Sequence, residues 1–161
     1  WAEPDDSPDN KGGFKALIAI ADVSFYVRSG SKLDREAYKR GNSVYFPDRV
    51  VPMLPEALST DVCSLKQGVD RASLVCHVTI NAKGQVIASR FTRAIVRLAG
   101  NIAYEDAQAA MDGRLDHPLK SKALEPLWAC RKSGWCSTTR ARSSRSRSAS
   151  GSTPTAWSRI I

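Results

Sequence analysis

Apolar and polar positions alternate along most of this 161-residue chain in ways that predict definite elements. Phe14-Lys15-Ala16-Leu17-Ile18-Ala19-Ile20 is a short apolar run, the pattern of a strand buried on both faces. Ser31-Lys32-Leu33-Asp34 has the form of a capping box, and Leu33, Ala37 and Gly41 then recur at every fourth position. These features predict a helix from about Lys32 to about Arg40. Pro47, Pro52 and Pro55 break the following stretch into extended pieces and turns. Leu74, Cys76, Val78 and Ile80 alternate with Val75, His77 and Thr79, a period of two. Asn81-Ala82-Lys83-Gly84 is a turn signal, and a second alternating run follows from Val86 to about Val96. Together they predict a β-hairpin. Asn101 is placed to cap a helix containing Ile102, Tyr104, Ala107 and Met111. Pro118 fits a first helical turn, with Leu119, Ala123 and Leu127 forming one stripe and Leu124 and Trp128 beside it. Strands and helices are mixed without a strict βαβ alternation, so the expected class is α+β: a mixed sheet with a hairpin and flanking helices.

After Trp128-Ala129-Cys130 the pattern ends. Residues 131–161 contain no Leu, Val, Asp or Glu, and Ile only at the last two positions. Such a composition cannot bury enough apolar area to offset its ordering entropy, so this stretch is expected to be disordered. The division is therefore a body over 1–130 and an Arg/Ser-rich tail over 131–161. The tail can be read as an RNA-binding arm, as a flexible linker, or as out-of-frame translation of a GC-rich gene. The abrupt change inside a half-built helix favours the third reading, with a frameshift near Cys130.

Charge changes the picture once it is divided the same way. The net charge is +8, which by itself suggests a nucleic-acid partner. Residues 1–130 carry 17 Lys and Arg against 16 Asp and Glu, a net of +1, and residues 131–161 carry 7 basic residues and no acid. The basicity belongs to the tail, and the pI is no argument that the body binds RNA. Hydrophobic content of 42% and charged content of 25% are ordinary for a globular protein. No apolar run approaches the roughly 20 residues of a membrane span, and the acidic start Trp1-Ala2-Glu3-Pro4-Asp5-Asp6 is not a signal peptide. A first residue of Trp, without an initiator Met, suggests a true beginning further upstream. Cys63, Cys76, Cys130 and Cys136 are irregularly spaced, and His77 and His117 are the only histidines, so zinc is not expected and buried free thiols are the better reading. His77 has no Ser or Cys nucleophile to serve. Asp22 reads as a strand-end residue rather than a metal ligand. Asp5, Asp6 and Asp9 read as a solvated loop beside Lys11-Gly12-Gly13.

Two blocks carry a resemblance. Ile20-Ala21-Asp22-Val23-Ser24-Phe25-Tyr26-Val27 resembles "IADVSxYV" of the ribonuclease R/ribonuclease II catalytic (RNB) domain, and residues 40–55, reading RGNSVYFPDRVVPMLP, resemble its "RGNSVYFPxxVxPMLP". Leu58-Ser59 and Cys63-Ser64-Leu65 continue the family's "LSxxxCSL". The similarity runs from about Trp1 to about Cys130, much longer than a short motif. It implies a partial RNB domain of a cytoplasmic 3′→5′ exoribonuclease, monomeric at full length, closest to ribonuclease R. Such an enzyme threads single-stranded RNA, with no preference for DNA, and releases nucleoside 5′-monophosphates. It also implies Mg²⁺ held by a cluster of aspartates. In the family these lie in a "DxxDFDDAV" segment just before the position of Trp1, so this chain is expected to hold no metal, to carry no catalytic residue and to be inactive alone. Tyr45 matches the family tyrosine that packs against the terminal nucleotide. Tyr104 matches one linked to preferring RNA over DNA, a task for which a phenol can bond a 2′-hydroxyl. Without the resemblance, both tyrosines would more simply be packing residues. A non-catalytic RNA-binding protein with a basic Arg/Ser arm is the alternative.

Overall fold

The structure is a computed structural model that describes residues 1–135 and 158–160. Its centre is the expected hairpin. The apolar run forms β2, Phe14–Ala21, after the short β1, Ala2–Pro4. The strands β3, Val44–Tyr45, and β4, Val50–Val51, form a separate ribbon. The hairpin is β5, Asp70–Ile80, and β6, Val86–Arg97, and β7, Ser158–Ile160, lies last. The main sheet has the order β1-β2-β5-β6-β7, antiparallel throughout except where β7 runs parallel to β6. The architecture is α+β, as the mixed pattern implied.

The hairpin turn shows why its residues are there. Asn81 Oδ1 accepts from the backbone N–H groups of Lys83 and Gln85 at 3.0 and 2.9 Å, and Gly84 supplies φ 73°. An Asn side chain that mimics a turn, followed by a glycine free to take positive φ, reverses the chain with little strain.

Burial corrects the expectation for β2. Val75, Ala94 and Val96 form one buried cluster with Leu17 and Ala19 packed against it. Ala2, Ala16, Val78, Ile80 and Cys130 form another, with Phe14 and Cys76 beside it. Ile18 and Ile20, however, are exposed. The second cluster includes Cys130 from the helix α4, Glu125–Cys130, which packs near β1 and covers only part of the sheet. The apolar run makes a strand, but not one buried on both faces along its length.

The helices follow the sequence with informative departures. A single turn, α1, Val23–Tyr26, leaves β2, and α2 spans Lys32–Arg40. Ser31 Oγ accepts from Asp34 N at 3.1 Å, the first half of a capping box. The return bond is displaced by one residue: Asp34 Oδ2 accepts from Gly30 N at 2.8 Å. Gly41, with φ 76°, ends the helix as its N–H reaches Ala37 O. The next helix, α3, is Tyr104–Met111 with Ala103 at its N-cap and no side-chain cap. Asn101 therefore does not cap it, and Ile102 lies outside it. Pro118 precedes the last helix instead of entering its first turn. That helix begins as a wide π-type turn over Lys120–Leu124 and becomes α4. It continues as a second wide turn over Arg131–Trp135. Within the stretch expected to be disordered, the described parts are this turn over Arg131–Trp135 and β7 over Ser158–Ile160. The remaining tail residues, 136–157 and 161, lie outside the described residues. Among the described residues no helix is long and apolar enough to cross a membrane.

Candidate RNA-contacting surface

Tyr45 stands on the β3–β4 ribbon, opposite Val50. The base of the ribbon is held by two bonds. Ser43 Oγ accepts from Met53 N at 3.0 Å, and Arg40 at the end of α2 donates to Pro52 O at 3.3 Å while pairing with Glu36. The far end is closed by Phe46 N donating to Arg49 O at 2.8 Å. Between these anchors Val44, Tyr45, Val50 and Val51 are all exposed. An apolar two-stranded ribbon with neither face covered is unusual, because burying one face is what normally stabilises such a hairpin. Tyr45 itself is 77% exposed. It is a ring presented to solvent, not a core residue.

Tyr104 opens α3 and is 92% exposed. Among the described residues it has no side-chain hydrogen bond, and Glu105 and Asp106 follow it in the first turn. Among the described residues no ring contact or hydrogen bond joins Tyr45 to Tyr104. Each is separately available to a ligand, and the chain alone does not assemble them into one pocket. An open apolar hollow of about 520 Å³, lined by Leu17, Ile18, Leu127 and Trp128 among others, lies between β2 and α4 and contains neither tyrosine.

The two buried acids, Asp22 and Asp5, have partners of their own. Asp22, buried at the end of β2, accepts from Ser24 Oγ at 2.6 Å. Its Oδ2 lies 2.9 Å from Arg93 Nε on β6, an ion-pair distance without the alignment of a hydrogen bond. Arg93 also donates to Ser24 Oγ at 2.6 Å. This triangle ties the exit of β2 to β6 and makes Asp22 the strand-end residue it was read as. Sequence reasoning missed its partner Arg93, which is 69 positions from Ser24 and carries no local signal. Asp5 departs from the reading as part of a solvated loop. It is buried, with Lys15 Nζ 2.8 Å away, and accepts from Ser7 and Asn10. These partners, Lys15 first, hold its carboxyl well below the usual carboxylate range.

Among the described residues no three His, Cys, Asp or Glu side chains come together as a metal site. Asp22 and Asp5 already face a cation each, so they do not fit a bound divalent ion. Burial raises the thiols of Cys63, Cys76 and Cys130, which keeps them protonated and unreactive. His77 bonds Thr92 Oγ1 through Nε2 at 2.9 Å, and burial followed by the Arg90 charge lowers its pKa. That arrangement belongs to a satisfied strand residue.

The sequence pattern of the RNB domain matches residues 6–153. The chain belongs to the RNB domain family. Ribonuclease R of Vibrio parahaemolyticus is 47% identical over 116 residues, which are 72% of this chain and 14% of that protein. Ribonuclease R of Escherichia coli is 45% identical over 105 residues, 65% of this chain and 13% of that protein. Among solved structures, Mycoplasma genitalium RNase R in complex with double-stranded RNA superposes with a TM-score of 0.75 at 25% identity. The match covers 87% of this chain and 24% of that one. The chain thus spans about a seventh of the length of these two curated relatives. The RNB-domain blocks at residues 20–27 and 40–55 fall on the exit of β2 and on the ribbon.

Proposed function

We propose that this chain forms part of the RNA-contacting wall of a processive 3′→5′ exoribonuclease that hydrolyses single-stranded RNA to nucleoside 5′-monophosphates. The observation that carries the reading is the solvent-presented Tyr45 on a ribbon anchored at both ends. An aromatic ring of this kind accepts any base by stacking, because every base has a π-face. Tyr104 serves the same strand by exchanging a hydrogen bond with a 2′-hydroxyl, which DNA lacks. Mycoplasma genitalium RNase R has been solved in complex with double-stranded RNA and with ribose-methylated single-stranded RNA, which supports RNA as the partner here.

Hydrolysis in this reading needs Mg²⁺, whose part is to activate water and to stabilise charge on the phosphate. Asp5 and Asp22 already face Lys15 and Arg93, and no acids cluster among the described residues, so in this reading the ion is held by the family's DxxDFDDAV segment, a pattern this sequence does not contain. The chain alone therefore binds RNA without cutting it, and its setting is the cytoplasm.

The competing reading assigns binding to the basic residues of 131–161. Affinity for a labelled single-stranded RNA, measured against salt with and without residues 131–161, separates the two. Binding that survives the truncation supports the wall. Binding that vanishes with the truncation, after falling steeply with salt, assigns the activity to the arm.

A further inference from the structure

We propose that Arg49 is a second RNA contact on the ribbon, gripping a backbone phosphate of the strand that stacks on Tyr45. The inference rests on the reading of Tyr45 above and adds the charge that this reading lacks.

The ribbon ends in a tight reversal, Phe46-Pro47-Asp48-Arg49, closed by the Phe46 N–H to Arg49 O bond. Arg49 is thereby fixed at the tip, one residue pair beyond Tyr45 and Val50. Its guanidinium lies over the Phe46 ring, 5.0 Å from the centroid. A guanidinium stacked on an aromatic face keeps its edge N–H groups free and loses part of its rotamer freedom before any ligand arrives. The stack is therefore a preorganised donor, and a planar fork of N–H groups suits the oxygens of a phosphate. Asp48 Oδ2 lies 3.2 Å from the Arg49 Nη1, and both side chains are about two-thirds exposed. Such an exposed pair is weak and readily exchanged. A phosphate would displace Asp48, which acts as a stand-in acceptor while the tip is empty.

Three other arginines are committed to contacts between or within elements. Arg40 is engaged by Glu36 and Pro52 O, Arg93 by Asp22, and Arg97 by Asp70. Those three serve the fold. Among the described residues Arg49 contacts only its neighbours Asp48 and Phe46 at the tip. Together with Tyr45 it gives the ribbon one face-stacking group and one phosphate donor, the combination that single-strand binders use.

The test is binding of a labelled single-stranded RNA to the full chain over a salt series, with R49A, R49K, D48N and Y45A compared. Losing one phosphate contact should weaken R49A several-fold at low salt and make the log–log salt slope shallower by about 0.7. R49K keeps the charge and should retain the slope while losing part of the affinity, because an ammonium cannot stack as a planar fork. D48N should bind more tightly than wild type. An R49A protein with wild-type affinity and slope overturns the proposal. If Y45A is weakened in that case, the stacking role of Tyr45 stands alone; if Y45A is also unchanged, the wall reading falls with it.

Discussion

Replacing Tyr45 by Ala should separate binding from stability. The ring is 77% exposed, so truncation leaves almost no cavity. A Tyr side chain can bury about 200 Å², of which roughly a quarter is covered here, or about 50 Å². At about 25 cal/mol/Å² that is about 1 kcal/mol of lost burial. The ribbon's anchors, Ser43 to Met53 and Arg40 to Pro52, do not involve the ring, so the fold should survive. Stacking of one base is worth about 1–3 kcal/mol by Ala substitution, which weakens binding roughly 5- to 150-fold. Tyr45→Phe retains the π-face and should bind nearly as wild type. Fluorescence anisotropy of a labelled single-stranded RNA gives the affinities, and urea unfolding of the same proteins gives the stabilities. The reasoning is refuted if Tyr45→Ala binds as wild type, or if it unfolds the chain by several kcal/mol. The second result would make Tyr45 a packing residue after all.

Other positions give independent checks. Tyr104→Phe removes one hydroxyl from a 92% exposed side chain; affinity for RNA should fall toward that for DNA of the same sequence, seen in paired titrations, with unfolding unchanged. Ile80 is fully buried between Ala2, Ala16 and Cys130, so Ile80→Ala should cost about 2–5 kcal/mol in urea unfolding. Asp5 has a folded-state pKa below its unfolded value of about 3.9. Its contribution is therefore complete above that unfolded value and is lost as pH falls through the depressed folded one. Asp5→Asn should flatten the acid side of the stability profile measured by thermal unfolding between pH 5 and pH 2, and a profile unchanged from wild type would contradict this.

The elements legible in the sequence were those written in local chemistry. The period of two from Leu74 to Ile80, the Asn81–Gly84 turn and the Ser31 cap each specify their own geometry, and each stands in the structure. The errors arose where a distant partner decides. Whether Ile18 and Ile20 are covered depends on how far α4 extends over the sheet, and the run Phe14–Ile20 carries no record of that. Asp5 looked like loop because Lys15 and Asn10 become its neighbours only once β1 and β2 pair. Asn101 is a good cap residue, but the helix starts later, at Tyr104. The helix expected to fail at Cys130 runs on to Trp135, since helical bonds need no hydrophobic period to persist for another turn.

The candidate surface was legible in a different way. Periodicity alone made Tyr45 and Tyr104 packing residues, and only the family resemblance, in the Arg40–Pro55 block for Tyr45 and at Asn101–Glu105 for Tyr104, made them candidate ligand contacts. Both side chains are exposed, which excludes core packing and leaves the ligand role to the binding experiments above. The Phe46–Arg49 stack was not legible, because its meaning depends on the Pro47-Asp48 reversal that brings the two side chains together.

The central claim is an RNA-contacting wall whose catalytic metal is held by residues other than its own. The direct measurement is incubation of the purified 161-residue chain with a 5′-labelled single-stranded RNA in Mg²⁺, following binding and product length together. The account predicts a bound RNA of unchanged length and no release of nucleoside 5′-monophosphates. A ladder shortening from the 3′ end, retained through purification and abolished by EDTA, would contradict it.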